Sequence, residues 1–281
     1  MPLSLEFKNV SFRYQDWGEK NAWALHDINL LFGDNECTVL VGPSGAGKTT
    51  LVQHFTGLLK PSDGSVLFDH QDIWNKSFSR SRLFKDIGLV FQFPESQLFE
   101  ETVRDDVAYG PKNLQLDNET INHRVTESLE MVGIDPKTFA ERSPFQLSEG
   151  EKRRVAIAGI LAMQPRMIVF DEPTAGLDPA GVRQFVSLVQ SLIASGKSIV
   201  IISHNMDFVA QVADRVIVLK SGSVLFDGTC VDLFDDDNLL KTADLERPGI
   251  QAAILELGIQ LPVKLSSVLT LQDLEPHLSR P

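Results

Sequence analysis

The stretch VGPSGAGKTT, residues 41–50, constrains the fold of this chain more than any other. A short apolar run at residues 37–41 precedes it and predicts a buried strand, and the residues after it have the apolar spacing of a helix. Between them lies the pattern G-x-x-x-x-G-K-[ST]. Glycines in such a loop let successive backbone N–H groups point at one anion, and the following helix adds its positive end. The sequence therefore predicts a loop that binds a nucleoside triphosphate.

The residues of this loop have distinct expected roles. Lys48 is expected to reach the β- and γ-phosphates, and the Thr49 hydroxyl is expected to bind Mg²⁺. The alternative is a glycine-rich turn with no ligand. The predicted nucleotide-binding residues are Gly42, Pro43, Ser44, Gly45, Ala46, Gly47, Lys48, Thr49 and Thr50.

A second signal is MIVFDEP, in which an apolar strand is followed by two acidic residues, Asp171 and Glu172. Side chains of neighbouring strand residues point to opposite faces, so we expect the two carboxylates to do different work. Asp171 is expected in the Mg²⁺ shell, as in other phosphate-loop proteins, and Glu172 is expected to polarise the attacking water. The alternative is an acidic pair that caps a following helix.

A third signal is LSEGE at residues 147–151. Ser148 and Glu151 have the spacing of a capping box, which predicts that a long helix starts here and runs to about residue 163. A helix start is also an anion site, and the local sequence does not separate these two interpretations. The basic run 152–154 that follows is interpreted as a solvated helix face.

Charge and composition exclude several classes of protein. The net charge of −12 argues against binding to a nucleic-acid backbone. The two cysteines, Cys37 and Cys230, cannot form a disulfide framework or a metal cluster. No signal-peptide pattern and no apolar run of about 18–20 residues is present, so we expect a cytoplasmic chain that other chains would hold at a membrane.

Strands that alternate with helices predict an α/β fold with a mostly parallel sheet. We expect a nucleotide-binding domain over residues 1–230, with a helical insertion at about 93–150. Residues 231–281 are expected to form a C-terminal extension. Its apolar helical stripe at residues 250–257 needs a covering surface, either this chain's own core or a second copy, and dimerisation is favoured.

Taken together, these stretches resemble the ATP-binding-cassette (ABC) ATPase family over residues 3–230. GPSGAGKTT, Gln92, LSEGEKRR, VFDEPTAGLD and His204 occur in the family's order. The resemblance implies a P-loop NTPase fold with a RecA-like core, an N-terminal antiparallel β subdomain, a helical insertion and a small C-terminal helical extension. It also implies an ATPase that uses ATP and Mg²⁺.

The resemblance implies roles for further residues of this chain. Gln92 would sense the γ-phosphate and the metal ion, and His204 would hold the γ-phosphate and the catalytic geometry. Tyr14 lies where the family places an aromatic residue that stacks on adenine. The alternative for Tyr14 is a core aromatic, with Trp17 and Trp23 as competing stacking residues.

Other implied roles are fulfilled across a dimer of ATPase chains. Asp178 would contact the second chain, and one segment would bind the γ-phosphate of ATP held by that chain. The residues of this segment are Leu147, Ser148, Glu149, Gly150 and Glu151. Glu149 replaces a glycine of the family's usual LSGGQ, which puts a negative charge near a triphosphate. Either Glu149 points to solvent, or the site that this chain completes is the weaker one of a pair.

Residues 91–113 and 153–165 resemble more narrowly the ATPases of energy-coupling-factor (ECF) transporters, the CbiO-like group of vitamin and cobalt or nickel importers. This resemblance implies a second ATPase subunit, in a homodimer or a heterodimer. It also implies a transmembrane coupling subunit and a substrate-binding membrane subunit, with the chain peripheral at the cytoplasmic face of the membrane.

Two other classes compete with this interpretation. A soluble ABC ATPase that acts on ribosomes or DNA fits poorly, because this chain has one cassette, no heptad stretch and an acidic balance. A P-loop kinase would not explain LSEGE followed by DEPTAGLD. A GTPase would need an N-K-x-D guanine reader, which residues 75–78 (NKSF) do not provide.

Overall fold

The computed structural model describes residues 3–14 and 23–277, which form two β-sheets and a set of helices around them. The strands are β1 (Leu5–Phe12), β2 (Leu25–Phe32), β3 (Cys37–Val41), β4 (Asp63–Phe68), β5 (Gln71–Asp72), β6 (Ile87–Val90), β7 (Met167–Asp171), β8 (Ser198–Ile202), β9 (Arg215–Lys220) and β10 (Ser223–Gly228). The predicted hairpin loop at residues 15–21 lies outside the described residues.

Helices connect and flank these strands. They are α1 (Lys48–Phe55), α2 (Ser81–Asp86), α3 (Val103–Asn113), α4 (Asn118–Met131), α5 (Pro136–Phe139), α6 (Glu149–Leu161), α7 (Pro179–Ala194), α8 (Met206–Val212), α9 (Cys230–Asp235), α10 (Asp237–Ala243), α11 (Gly249–Leu257) and α12 (Leu271–Leu274). Within the described ranges, no helix is both long enough and apolar enough to cross a membrane.

The larger sheet has six strands in the order β10-β9-β3-β8-β7-β6. Its β6, β7, β8, β3 and β9 run parallel, and β10 pairs antiparallel with β9 at one edge. Strands β3, β6, β7 and β8 are buried at every position, as expected for a parallel sheet that is covered on both faces. The predicted mostly parallel α/β fold is confirmed, and the carboxyl ends of these strands meet at one edge.

The two faces of this sheet belong to two separate hydrophobic cores. Along β3, Cys37, Val39 and Val41 pack in the core that contains helices α3, α4, α6 and α7, whereas Leu40 packs in the other core. The second core lies between the parallel sheet, α1 and the antiparallel sheet β2-β1-β4-β5. The period-2 alternation of a strand thus divides its side chains between the two layers.

Helices α3 to α5 lie within the predicted helical insertion at about 93–150, and α3 and α4 pack against α6, the helix that follows the predicted capping box. This helix begins at Glu149 and ends at Leu161, two residues later and two residues earlier than predicted. Helix α2 was not expected, because its six residues give too short a stretch for a clear helical period.

The C-terminal segment covers its own apolar residues only in part. Ile254 of α11 packs with Val268 and Leu274, whereas Leu257 of the same predicted stripe is 72% exposed. Gly258 ends the helix in the left-handed conformation (φ 64°), as its position predicts. Ile250 packs partly against the same cluster, whereas Leu255 and Leu257 face outward, so the buried face of α11 is narrower than the predicted stripe.

Phe55 ties the helix after the phosphate loop to the antiparallel sheet. It is fully buried, and its ring centroid lies 5.4 Å from that of Phe7 and 4.7 Å from that of Phe32. We expect Phe55→Ala to lower the free energy of unfolding by about 3–5 kcal/mol, because it leaves a cavity beside the rings of Phe7 and Phe32. Urea denaturation measures this change.

The matched control for this prediction is Leu58→Ala, just beyond the same helix, where the side chain is largely exposed. Its effect should stay within about 0.5 kcal/mol of the parent. Equal losses in the two variants would contradict the importance of the aromatic contact.

Candidate functional site

The predicted site residues meet in a cavity of about 550 Å³ at the carboxyl ends of the parallel strands. The loop between β3 and α1, the ends of β7 and β8, and Gln92, the second residue after β6, all contribute to it. The lining residues are Tyr14, Ala24, Gly42, Ser44, Gly45, Ala46, Gly47, Lys48, Thr49, Thr50, Gln92, Asp171, Glu172, Ile202 and His204. Pro43 belongs to the loop but does not line the cavity, and Ala24 and Ile202 were not expected from the sequence.

The loop is held by close backbone contacts that only glycine allows. A Cβ atom at Gly42 would lie 2.0 Å from the carbonyl oxygen of Leu219 in β9, and one at Gly47 would lie 2.5 Å from that of Ala24. Both glycines have positive φ values, 135° and 102°. The loop therefore needs glycine at these positions for space as well as for backbone conformation.

Lys48 lies folded over the loop. Its Nζ donates hydrogen bonds to the carbonyl oxygens of Gly42 (2.6 Å) and Pro43 (2.9 Å). Burial lowers the pKa of the Lys48 amine, and the nearby carboxylates of Glu172 and Asp171 oppose this shift. The ammonium group thus lies inside the cavity, where its N–H groups could donate to a phosphate instead of to these carbonyl oxygens.

Asp171 is the last residue of β7 and is buried at the floor of the cavity. Its Oδ2 accepts a hydrogen bond of 3.2 Å from the Thr49 hydroxyl. Burial raises the pKa of the Asp171 carboxyl, and the negative charge of Glu172 adds to this, while Thr49 and Lys48 oppose it. The two predicted metal-binding side chains, on α1 and β7, therefore lie side by side.

Glu172 does not continue the strand, which corrects the argument from strand alternation. Its φ is +49°, and its N–H donates to the carbonyl oxygen of Ile202 (3.0 Å). The turn at this residue brings both acidic side chains to the same cavity instead of to opposite faces. A left-handed conformation at a non-glycine residue is uncommon and gave no signal in the sequence.

His204 and Gln92 complete the polar wall of the cavity. His204 Nδ1 lies 2.8 Å from Glu172 Oε2, which is the distance of an ion pair but lacks the alignment of a hydrogen bond. Glu172 Oε2 is thus a buried acceptor without a hydrogen bond. Gln92 follows β6 and is exposed at the rim.

Tyr14 stands at the far side of the cavity and is 48% exposed. Its hydroxyl lies 3.1 Å from that of Thr50, and its ring meets Phe12 edge-on at 4.9 Å. Exposure of the ring argues against the alternative of a core aromatic. Trp23 does not line this cavity, and Trp17 lies outside the described residues.

The segment 147–151 does not line the cavity of its own chain. Ser148 is the N-cap of α6 and forms a complete capping box with Glu151, whose Oε2 accepts from both the Ser148 backbone N–H (2.8 Å) and hydroxyl (2.7 Å). Leu147 is buried, while Ser148, Glu149 and Gly150 are exposed. The exposed helix start therefore lies outside the nucleotide cavity of its own chain.

The structure agrees with the first of the two alternatives for Glu149, because its side chain points to solvent. Its side chain is 75% exposed and forms an ion pair of 2.7 Å with Lys152. Asp178 is the N-cap of α7, and its carboxylate accepts from the Gly181 N–H at 2.7 Å. A helix cap explains the position of Asp178 within this chain.

The interpretation of residues 152–154 as a solvated face is wrong for Arg153. This side chain is 7% exposed and donates to the carbonyl oxygens of Ala175 (2.7 Å) and Glu172 (3.3 Å). A run of basic residues does not by itself reveal which member points inward. The buried apolar residues of α6, however, recur at about every third or fourth position. That helical period was the available signal.

The arrangement can bind a triphosphate and offers oxygen ligands for a hard cation. Asp171 and Thr49 provide a carboxylate and a hydroxyl, and Gln92 could add an amide oxygen. Among the described residues, no cluster of three or more His, Cys, Asp or Glu side chains could hold a metal ion by itself. Carboxylate and hydroxyl oxygens are ligands that suit Mg²⁺, which usually takes one or two protein ligands with the remaining ligands from phosphate and water.

Comparisons with known proteins agree with this geometry. The family model for "ABC transporter" matches residues 25–175. A protein of Caldanaerobacter subterraneus subsp. tengcongensis, "Energy-coupling factor transporter ATP-binding protein EcfA2", is 43% identical, with 100% of this chain and 97% of that protein covered. A Clostridioides difficile protein of the same name is 40% identical, with 98% and 96% covered.

Two solved structures are similar to the whole fold. The structure of cbiO1 from Clostridium perfringens, described as part of the ABC transporter complex cbiONQ, has a TM-score of 0.76 and 36% identity, with 90% of this chain and 98% of that chain covered. A dimeric ATP-binding cassette bound to ADP and Pi has a TM-score of 0.70 and 31% identity, with 80% and 98% covered.

Burial of Asp171 beside Glu172 makes its ionised form unfavourable in the folded protein. We expect Asp171→Asn to raise the thermal unfolding midpoint of the nucleotide-free protein at pH 7, because it removes a buried charge. The folded-state pKa lies above the unfolded value, so this gain should shrink as the pH falls and vanish below about pH 4, where both states are protonated. Calorimetry at several pH values measures it.

Asp34→Asn, at an exposed turn, is the matched control and should leave the midpoint unchanged at each pH. A midpoint for Asp171→Asn at or below that of the parent at pH 7 would contradict the prediction.

Proposed function

Since this chain belongs to the ABC transporter family, and within it to the energy-coupling factor ATP-binding proteins, we propose that it is the ATP-hydrolysing subunit of an ECF-type importer. The observation that carries this proposal is the single cavity that joins the phosphate loop, Asp171, Glu172, His204 and Gln92. ATP hydrolysis there would drive uptake of a vitamin or a transition-metal ion across the cell membrane. A separate membrane subunit would select that substrate.

In this proposal the phosphates of ATP enter the loop between β3 and α1. Lys48 would exchange its bonds to the Gly42 and Pro43 carbonyl oxygens for bonds to phosphate oxygens, at the N-terminal end of α1. Tyr14 would stack on the adenine, with its hydroxyl oriented by Thr50. These groups bind and orient the substrate, which is the main task of a protein in phosphoryl transfer.

Asp171, Thr49 and Gln92 would hold Mg²⁺, which would neutralise charge on the β- and γ-phosphates. Glu172 would take a proton from the attacking water through its buried carboxylate, whose Oε2 has an acceptor site free of hydrogen bonds. His204, at 2.8 Å from the same oxygen, would hold that carboxylate and contact the γ-phosphate.

We propose that the working unit is a dimer of ATPase chains. The exposed helix start at Ser148 and Gly150 would close over ATP held by the second chain, and Asp178 would contact that chain. The dimeric cassette among the similar structures supports this arrangement. Residues 231–281, with Leu255 and Leu257 facing outward, would add a dimerisation surface to the nucleotide-binding domain of residues 1–230.

We further propose that the chain binds a transmembrane coupling subunit at the cytoplasmic face of the membrane. A groove of about 490 Å³ lies beside the segment that follows Gln92, and its lining is largely apolar and aromatic, with Gln97 and Asp106 among its polar residues. Phe84, Phe99 and Tyr109 are each about half exposed there, and the Phe99 and Tyr109 rings meet edge-on at 4.9 Å. Such a groove suits an amphipathic helix of a membrane partner.

The catalytic proposal is tested at Glu172. Glu172→Gln should bind ATP with parental affinity but hydrolyse it about 100-fold more slowly or worse, because the amide cannot accept the proton of water. Phosphate release and nucleotide binding are measured on the same preparation with Mg²⁺. Turnover equal to that of the parent would refute the role of Glu172, and absence of ATP binding by the parent would refute the proposed function.

The docking proposal is tested at Phe99. Phe99→Glu should reduce co-purification with membrane proteins by about tenfold or more, because a charge replaces an aromatic contact at the centre of the groove. Leu31→Glu, at an equally exposed position on β2, is the matched control and should co-purify as the parent does. Equal recovery of the Phe99→Glu variant and the control would contradict this docking surface.

A further inference from the structure

Arg153 connects the helix that begins at Ser148 with the turn that presents Glu172. It lies in the second turn of α6 and is one of only a few charged side chains that are buried in the described part of the chain. A buried guanidinium group costs free energy unless its donors are used. Here its two terminal nitrogens donate to two backbone carbonyl groups, those of Glu172 and Ala175.

These two carbonyl groups stand at the first and last residues of one tight turn. The Ala175 N–H donates to the Glu172 carbonyl oxygen at 3.2 Å, which closes the turn, and Arg153 bonds to the carbonyl oxygens at both of its ends. On the opposite side, the Glu172 N–H is bonded to Ile202 in β8. The left-handed backbone at Glu172 is therefore fixed between the sheet and the Arg153 guanidinium group.

A third segment lies near the same guanidinium group. Glu95 lies in the 3₁₀ turn Pro94–Gln97, just after Gln92, and this turn packs against α6. Glu95 Oε2 is buried and has no hydrogen bond. Burial lowers the pKa of the Arg153 guanidinium, and the negative charge of Glu95 opposes that shift. Glu95, in the segment 94–97 beside the groove, is thus an electrostatic partner of Arg153.

We propose that Arg153 is a positioning residue for hydrolysis. It holds the backbone of Glu172 in a fixed position relative to helix α6 and to the segment 94–97. Arg153 does not line the nucleotide cavity, so its effect passes through Glu172. A planar guanidinium group with parallel donors suits this task, because it fixes two acceptors at a set spacing, whereas an ammonium group would fix only one. The inference rests on the proposed role of Glu172.

The test compares steady-state hydrolysis by Arg153→Gln, Arg153→Lys and the parent, as full-length protein with Mg²⁺ and ATP. Misplacement of the water-polarising carboxylate should lower kcat roughly 10- to 100-fold in Arg153→Gln. The KM and the Kd for ATP should stay within about twofold of the parent, because the phosphate loop is untouched. Arg153→Lys should recover part of kcat, since it keeps the charge and one donor.

Arg104→Gln is the matched control, because Arg104 is a surface arginine paired with Glu141. It should keep the parental kcat. A kcat for Arg153→Gln within about twofold of the parent would overturn the inference, as would parallel losses of ATP binding, thermal midpoint and kcat in both Arg153 variants. If the parent itself does not hydrolyse ATP, the proposed function fails first, so the two failures are distinguishable.

A double-mutant cycle tests the contribution of Glu95. Glu95→Gln should lower kcat by a smaller factor than Arg153→Gln, and adding it to Arg153→Gln should cause no further loss. Full additivity of the two effects would show that Glu95 acts by another route and would remove segment 94–97 from the inference.

Discussion

The nucleotide cavity depends on a contact between two backbones that leaves no room for a side chain. At Gly42 the loop lies so close to Leu219 that a Cβ atom would be 2.0 Å from its carbonyl oxygen. The Gly222 N–H then donates to the Ala46 carbonyl oxygen at 3.0 Å, just beyond the same strand. Strand β9 and the turn after it therefore set the shape of the loop, and with it the direction of the N–H groups that face a phosphate.

The polar residues of the cavity are placed by elements that are buried and rigid. Strand β7 carries Asp171 on a sheet that is apolar on both faces, so the carboxylate stands where hydration is weak and its pKa is raised. Thr49 and Lys48 offset part of that cost from α1. The ionised Asp171 carboxylate is therefore unfavourable where it lies, and a bound cation would offset that cost.

Much of this fold and of the site can be predicted from sequence, for identifiable reasons. Strands such as β3 and β8 are short, continuous apolar runs, and the loop glycines and Lys48 occur in a spacing that few other structures require. The sequence does not reveal the left-handed turn at Glu172, because no glycine marks it. Nor does the sequence reveal that Arg153 points inward, since a basic run alone does not show which of its side chains is buried. Both are tertiary effects, in which distant backbone groups decide a local conformation.

The start of helix α6 shows how local stability and binding compete for the same atoms. In this chain the Ser148 hydroxyl and N–H both donate to the Glu151 carboxylate, so the helix start is already neutralised by its own acidic residue. In the proposed dimer, a phosphate held by the second chain would bind the Ser148 hydroxyl and N–H only after Glu151 had moved away. Glu149 requires no such movement, because it is already paired with Lys152 and directed to solvent. In the proposed dimer, the carboxylate of the capping box would therefore oppose closure of the site more than Glu149 would.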